Sequence, residues 1–230
     1  MYRIFLIMIA GGIGACYLGY NEFVVAKGTT EIPVEVELAD MEKGTVPENN
    51  HMKIGRHLRL YPASIYKYER PKNSDSEKAE PHYKVTCAYY PIISFSHSYF
   101  DRMRSVIEEY GSTDAVPEDK WPNFDDFKVL VKTKTFKTIN DIPNDFGEKE
   151  ALTGLVVNRI DTISQEEKKL ILSNFPKVSF SNLIILEENR KPSNPVKSTG
   201  MMGGGVMLSL SGGYLLIFKR RREEQTDVST

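Results

Sequence analysis

Residues 199–218 contain no ionisable side chain except Tyr214, and the chain then runs straight into Lys219, Arg220, Arg221 and Arg222. At about 1.5 Å rise per residue, such a run is long enough to cross a hydrocarbon layer of about 30 Å, and a helix is the open segment that satisfies its own backbone there. The basic cluster resists crossing and favours an anionic cytoplasmic surface, so the expected span is 198–218, followed by a cytoplasmic tail, 219–230. The beginning of the chain repeats the pattern. Residues 4–21 carry no charge, and Arg3 alone is charged among the side chains before them. Two spans place both ends on one side, which predicts a cytoplasmic N-terminus at 1–3, a transmembrane helix at 4–21, an extracytoplasmic domain at 22–197 and a second transmembrane helix at 198–218. The competing reading is a soluble protein with two core helices, but core helices rarely need apolar residues on every face.

Outside Arg3 and the four-residue basic cluster the 30 Lys and Arg fall to 25, and without Glu223, Glu224 and Asp227 the 31 acidic residues fall to 28. A near-neutral domain has no electrostatic footprint for nucleic acid. Two cysteines, Cys16 and Cys87, exclude a disulfide framework within the domain, because Cys16 lies in the first apolar run. No Asn-X-Ser/Thr site occurs. A double-pass protein of a bacterial inner membrane, part of the cell envelope, is the expected setting. The tetrad Ile13-Gly14-Ala15-Cys16 resembles the lipobox of bacterial lipoproteins, with Arg3 and the apolar residues after it as the leader. That resemblance implies an alternative in which the chain is cut before Cys16 and lipid-anchored there.

Both apolar runs carry small residues at i, i+4 and i+8: Gly11, Ala15 and Gly19 in the first, Gly205, Ser209 and Gly213 in the second. Such ridges let helices approach closely in lipid, and they predict helix packing within the chain or onto another subunit.

Between the spans, alternation predicts a strand at 31–38, with Ile32, Val34, Val36 and Leu38 opposing Glu31, Glu35 and Glu37. Further strands are expected at 57–61, 64–69, 83–90, 127–138, 152–160 and 183–187, and loops at 42–50 and 140–150. The basic face of 127–138, with Lys128, Lys132 and Lys134, suggests pairing with the acidic 31–38 strand. Ser98 and Asp101 predict a capped helix over 98–110 that Gly111 ends, and Ser164 and Glu167 open a second that Pro176 stops. The expected fold class is α+β, an antiparallel sheet or small open barrel with about two helices, flanked by the two transmembrane helices.

Catalytic and metal motifs are missing. His51, His57, His82 and His97 are scattered, Cys87 sits mid-strand, and Gly203-Gly204-Gly205 lies inside a span without the Lys-Ser/Thr of a phosphate loop. No cofactor is expected. The most unusual local chemistry is aromatic. Tyr61, Tyr66, Tyr68, Tyr89 and Tyr90, with Trp121 in a proline- and acid-rich loop at 112–126, form a candidate ligand or partner surface. The leading expectation is a membrane-anchored, non-enzymatic interaction or assembly module whose partners are the bilayer and a membrane protein or a second copy. The alternatives are an envelope carbohydrate- or peptide-binding module using the tyrosine-rich strands, and an enzyme with a dispersed site.

Overall fold

The computed structural model describes residues 2–71, 79–124, 126–158, 163–192 and 194–227. The chain divides into two compact units, one of residues 1–29 with 192–230 and one of residues 30–191.

The first unit is a helix pair, α1 (Tyr2–Lys27) and α5 (Pro195–Asp227). Each contains a stretch long and apolar enough to cross a membrane, Tyr2–Ala26 with mean hydropathy 1.6 and Pro195–Lys219 with 1.5. The helices run antiparallel: Cys16 Sγ faces the Met202 carbonyl at 3.4 Å, Ser209 Oγ the Ile9 carbonyl at 3.3 Å, and the Lys219 ammonium stands 4.5 Å from the centre of the Tyr2 ring. Both helices extend beyond the expected spans of 4–21 and 198–218. The backbone of Arg220, Arg221 and Arg222 belongs to α5, while their side chains lie outside the described part of the structure.

The second unit is a mixed α+β fold around a nine-stranded sheet curled into an open half-barrel. Its strands are β1 (Val34–Val36), β2 (His51–Ile54), β3 (His57–Arg59), β4 (Ile65–Glu69), β5 (Lys84–Ile93), β6 (Val129–Thr133), β7 (Gly147–Lys149), β8 (Leu152–Val156) and β9 (Ile184–Glu188). Their order is β1-β2-β8-β9-β6-β5-β3-β7, with β4 also on β5. Most pairs are antiparallel, as expected, but β1 pairs with β2 and β6 with β9 in parallel. The ten-residue β5 is the spine: β6 lies along one edge, while β4 and β3 share the other, with a bulge in β4 between Lys67 and Tyr68. In β8, Gly154 fits because a Cβ there would overlap the Glu187 carbonyl of β9.

Alternation along these strands separates two cores. One face carries Leu60, Cys87, Tyr89, Leu130 and Ile185 under α3 (Ser98–Tyr110) and α4 (Gln165–Asn174), whose Met103, Ile171 and Leu170 pack down onto it. The other carries Met52, Ile54, Tyr90, Ile92, Val131 and Leu186, filled by Leu38 and Met41 of α2 (Leu38–Glu42).

The Ser164–Glu167 capping box forms as read from sequence, and α3 ends at Gly111 in the left-handed region at φ 82°. Its start is corrected by one residue. His97, not Ser98, is the N-cap, and its Nδ1 accepts the Tyr99 N–H at 3.1 Å. The expected 31–38 strand shortens to β1 because Leu38 turns into α2. Its pairing with the basic stretch is also corrected, since β1 lies on β2 while β6 lies between β5 and β9. The charges find other partners: Glu35 pairs with Lys53 at 2.7 Å, Lys134 with Glu187 at 3.0 Å and Lys132 with Glu167 at 2.5 Å. Strands β2 and β7 fall where loops or no element were expected. The expected strand end at 159–160, most of the polar insert after residue 71 and Asp125 of the acidic loop lie outside the described residues.

Candidate functional site

Three places in the structure gather the residues that chemistry could use, and the first is the helix seam. Gly12 and Gly19 are buried on α1, and Ser198, Gly205 and Gly212 on α5. The spacing is seven residues in both helices, which keeps one seam facing its partner as in a coiled coil. A Cβ on Gly205 would stand 2.6 Å from the Gly12 carbonyl oxygen and 2.8 Å from the Cys16 nitrogen, and one on Gly212 would stand 3.0 Å from the Phe5 carbonyl oxygen. The backbones themselves are therefore in contact. Of the six residues expected to pack, Gly19, Gly205 and Ser209 lie on the seam, and Ala15 is half-buried. Gly11 and Gly213 do not, since a Cβ on either meets nothing within 4 Å. The i, i+4, i+8 ridge coincides with the seam at Gly205 and Ser209 and leaves it at Gly213, while the seven-residue spacing of Gly12–Gly19 and Ser198–Gly205–Gly212 follows it.

The tyrosines do not assemble into one surface. Tyr89 and Tyr90 are fully buried and, as strand neighbours, enter opposite cores. Tyr89 donates to Glu167 Oε1 at 2.5 Å, while Tyr90 donates to Glu188 at 3.4 Å and packs its ring 4.9 Å from Tyr61. Half-buried Tyr66 and Tyr68 form a separate ladder with Tyr83, in which Tyr68 stacks on Tyr83 at 5.7 Å. Trp121 is half-buried behind the short 3-10 turn Glu118–Lys120. The β-propensity of tyrosine, rather than a ligand groove, accounts for the cluster.

Beside Tyr61 and Tyr90 lies a buried polar group. Arg59 and Glu188 pair at 3.1 Å with side chains 9% and 12% exposed, and Arg59 also donates to Tyr61 Oη at 3.0 Å. His57, fully buried on the same strand, places Nδ1 2.7 Å from the Gly55 carbonyl, so Nδ1 carries the proton and Nε2 is left without a partner. Burial pushes the His57 pKa below its ordinary 6.5, and the Arg59 charge adds to this effect against Glu188 and the Gly55 carbonyl. The folded chain thus binds this proton less readily than the unfolded one. Stability is fully present above pH 6.5 and declines as the pH falls below it. Denaturant titrations from pH 8 to 5 are expected to show that decline, and His57→Gln is expected to flatten it; an unchanged slope would exclude His57 as its source.

The third place is an open polar cleft at the end of the sheet where β6 begins. A cavity of about 540 Å³ lies between the α2 turn, Asn158 and residues 180–184, and a second of about 360 Å³ lies between α2 and the start of α3. Lys128 lines both. The carboxylates of the smaller cavity are already engaged. Asp126 receives Arg102 at 2.7 and 3.2 Å, and although burial works the other way, that guanidinium and the nearby His97 hold its pKa below the usual carboxylate value. Glu42 accepts the Ser94 N–H at 2.8 Å and the Ser94 hydroxyl at 2.5 Å. His97 Nε2 is 4.0 Å from Asp126 while its Nδ1 serves as the helix cap, an arrangement that fastens the loop and leaves no ring nitrogen free to act as a base. Among the described residues no cluster of metal-ligating side chains occurs. The cleft was not legible in sequence, because its walls come from residues 41–46, 126–128, 158 and 180–184, which no motif connects.

No protein family, curated protein or solved structure compared with the chain matches it.

Proposed function

We propose that the chain is a membrane-anchored, non-enzymatic interaction or assembly module. The paired helices α1 and α5 cross a bilayer, probed most simply as a bacterial inner membrane, with both chain ends cytoplasmic and residues 30–191 exported. The observation that carries this reading is the outer surface of the helix pair. Leu6, Ile7, Ile13, Met207 and Leu210 are 57%, 69%, 61%, 72% and 69% exposed, and only 11% of either apolar window is buried. In water that surface costs about 25 cal/mol per Å², whereas in lipid it costs nothing. The seam supports the same solvent, because it brings small residues and backbone together instead of large apolar side chains, the packing that associates helices where hydrophobicity cannot. Orientation follows from Lys219 and the three arginines after it.

The test is photo-crosslinking in intact cells from a probe at Leu210, on the exposed face, with a probe at Met202, whose side chain already lies against Gly19, as the internal control. An assembly module is expected to yield a stoichiometric adduct with a membrane protein or a second copy from Leu210 and α1 contacts from Met202. Extraction of the uncrosslinked protein by alkaline carbonate, or recovery of the monomer alone from the Leu210 probe, would overturn the reading. A reporter fused after Thr230 is expected to be active only in its cytoplasmic form.

A further inference from the structure

We propose that the cleft beside β6 binds a small organic anion, a carboxylate or phosphate carried on an apolar body, with Lys128 as the charge that recognises it. Among the described residues, Lys128 is the single ionisable one lining the 540 Å³ cavity. It is half-buried, and among the described residues it makes no ion pair, although Asp126 lies two positions away and Glu42 shares the neighbouring cavity. Asp126 is paired with Arg102, and Glu42, which accepts from the Ser94 N–H and hydroxyl, forms no ion pair with the lysine. A lysine without an ion-pair partner at the wall of a concave site attracts an anion more strongly than one on an open surface, because the surrounding protein lowers the effective dielectric.

The rest of the wall has the mixture that small-molecule sites use, apolar area with a few fixed polar groups. Met41, Phe180 and Leu183 supply apolar surface for the body of the ligand, and Ser181 supplies a hydroxyl. Asn158 is held in place from both ends of its amide, donating to the Leu183 carbonyl and accepting the Ile185 N–H at 2.9 Å. One amide hydrogen of Asn158 is left over by those two bonds. The wall is thus anchored to β9 before any ligand arrives. A cavity of this size admits a ligand of drug-like dimensions and far exceeds what an inorganic ion needs.

The experiment uses the full chain in an uncharged maltoside detergent, with its lysines carrying ¹³C-dimethyl groups, and titrates hexanoate, hexanol and inorganic phosphate. Lys128→Arg removes one NMR signal and so assigns Lys128 while keeping the charge. Hexanoate is expected to shift the Lys128 signal saturably, and hexanol is expected to leave it in place. By calorimetry, Lys128→Met weakens hexanoate binding by about tenfold or more, the loss of one charge-assisted hydrogen bond, and Lys128→Arg retains it. Ser181→Trp, at an exposed position, fills the cavity and removes binding without touching the lysine. The proposal is overturned if hexanoate produces no saturable shift, or if Lys128→Met binds as tightly as the parent. It is equally overturned if phosphate shifts the signal as strongly as hexanoate, since the apolar body would then contribute nothing.

Discussion

Gly205→Leu separates α5 from α1, while Gly213→Leu, eight residues further along the same helix, leaves the pair intact. The difference rests on what each new side chain meets. At Gly205 the obstruction is the Gly12 carbonyl oxygen and the Cys16 nitrogen, backbone atoms that cannot rotate away. At Gly213 there is open space within 4 Å. Overpacking of a tight interface costs about 1–3 kcal/mol, and a seam in backbone contact sits at the upper end, roughly a hundredfold in the pairing equilibrium. Gly12→Leu and Gly11→Leu repeat the contrast on α1, where only Gly12 faces Ser209 and Gly205. Energy transfer between dyes placed near the N-terminus and near residue 219, measured in mixed micelles of increasing denaturing strength, reads the equilibrium directly. Equal effects of the adjacent glycines would mean that the seam does not follow the seven-residue spacing.

Glu167→Ala is expected to cost the α+β unit about 3–5 kcal/mol, because it strands Lys132. The two side chains are 12% and 11% exposed and 2.5 Å apart, and Glu167 also receives the Tyr89 hydroxyl at 2.5 Å and the Ser164 N–H at 2.9 Å. The bonds fasten α4 to strands β5 and β6. Burial opposes the charge, yet these donors outweigh it and push the Glu167 pKa from 4.5 down to about 2. Below its ordinary pKa the unfolded chain takes up a proton that the folded chain refuses. The stabilisation is therefore complete above pH 4.5 and is lost as the pH falls from 4.5 toward about 2. Glu167→Gln is expected to remove that acid limb from a plot of unfolding free energy against pH. The double variant Lys132→Met with Glu167→Leu is expected to recover most of the loss at neutral pH, since apolar replacement of a buried pair is often neutral or better. Failure of the double variant to recover would assign the loss to the Tyr89 and Ser164 bonds instead.

The parts of this fold that local chemistry dictates were legible. Ser164 and Glu167 announce a helix because each satisfies the other's backbone, and Gly111 announces an end because few other residues adopt its φ of 82°. Alternation in 83–90 located β5 but could not say that Tyr89 and Tyr90 fill two different cores, since a strand pattern does not reveal whether its second face is wet or covered. The same limit hid Lys132. It reads as part of a solvent-facing basic row, and its burial depends on Glu167, 35 positions later. Charge matching between 31–38 and 127–138 misled because β8 and β9, far along the chain, insert between β2 and β6. The helix seam was visible in composition at Gly19, Gly205 and Ser209, but Gly11 and Gly213 each stand one residue from the seam glycines Gly12 and Gly212, because an i+4 ridge drifts around a helix that a seven-residue spacing holds in register. The cleft at Lys128 left no trace, being made of residues that only the tertiary fold gathers.

That insertion also sets a timetable. Strands β2 and β3 are among the first of the sheet to leave the ribosome, yet their partners β8 and β7 follow about a hundred residues later, His51 pairing with Leu155 and His57 with Lys149. Last comes β9, which enters between β8 and β6. Pairings this distant in sequence form slowly, after the cost of closing long loops. The nascent chain therefore passes most of its synthesis with the facing edges of β6 and β8 open, and the final strand covers both at once. A truncation before Ile184 leaves those two edges exposed even though β3, β5 and β7 still join the two sides of the sheet, the form that quality-control proteases and chaperones recognise.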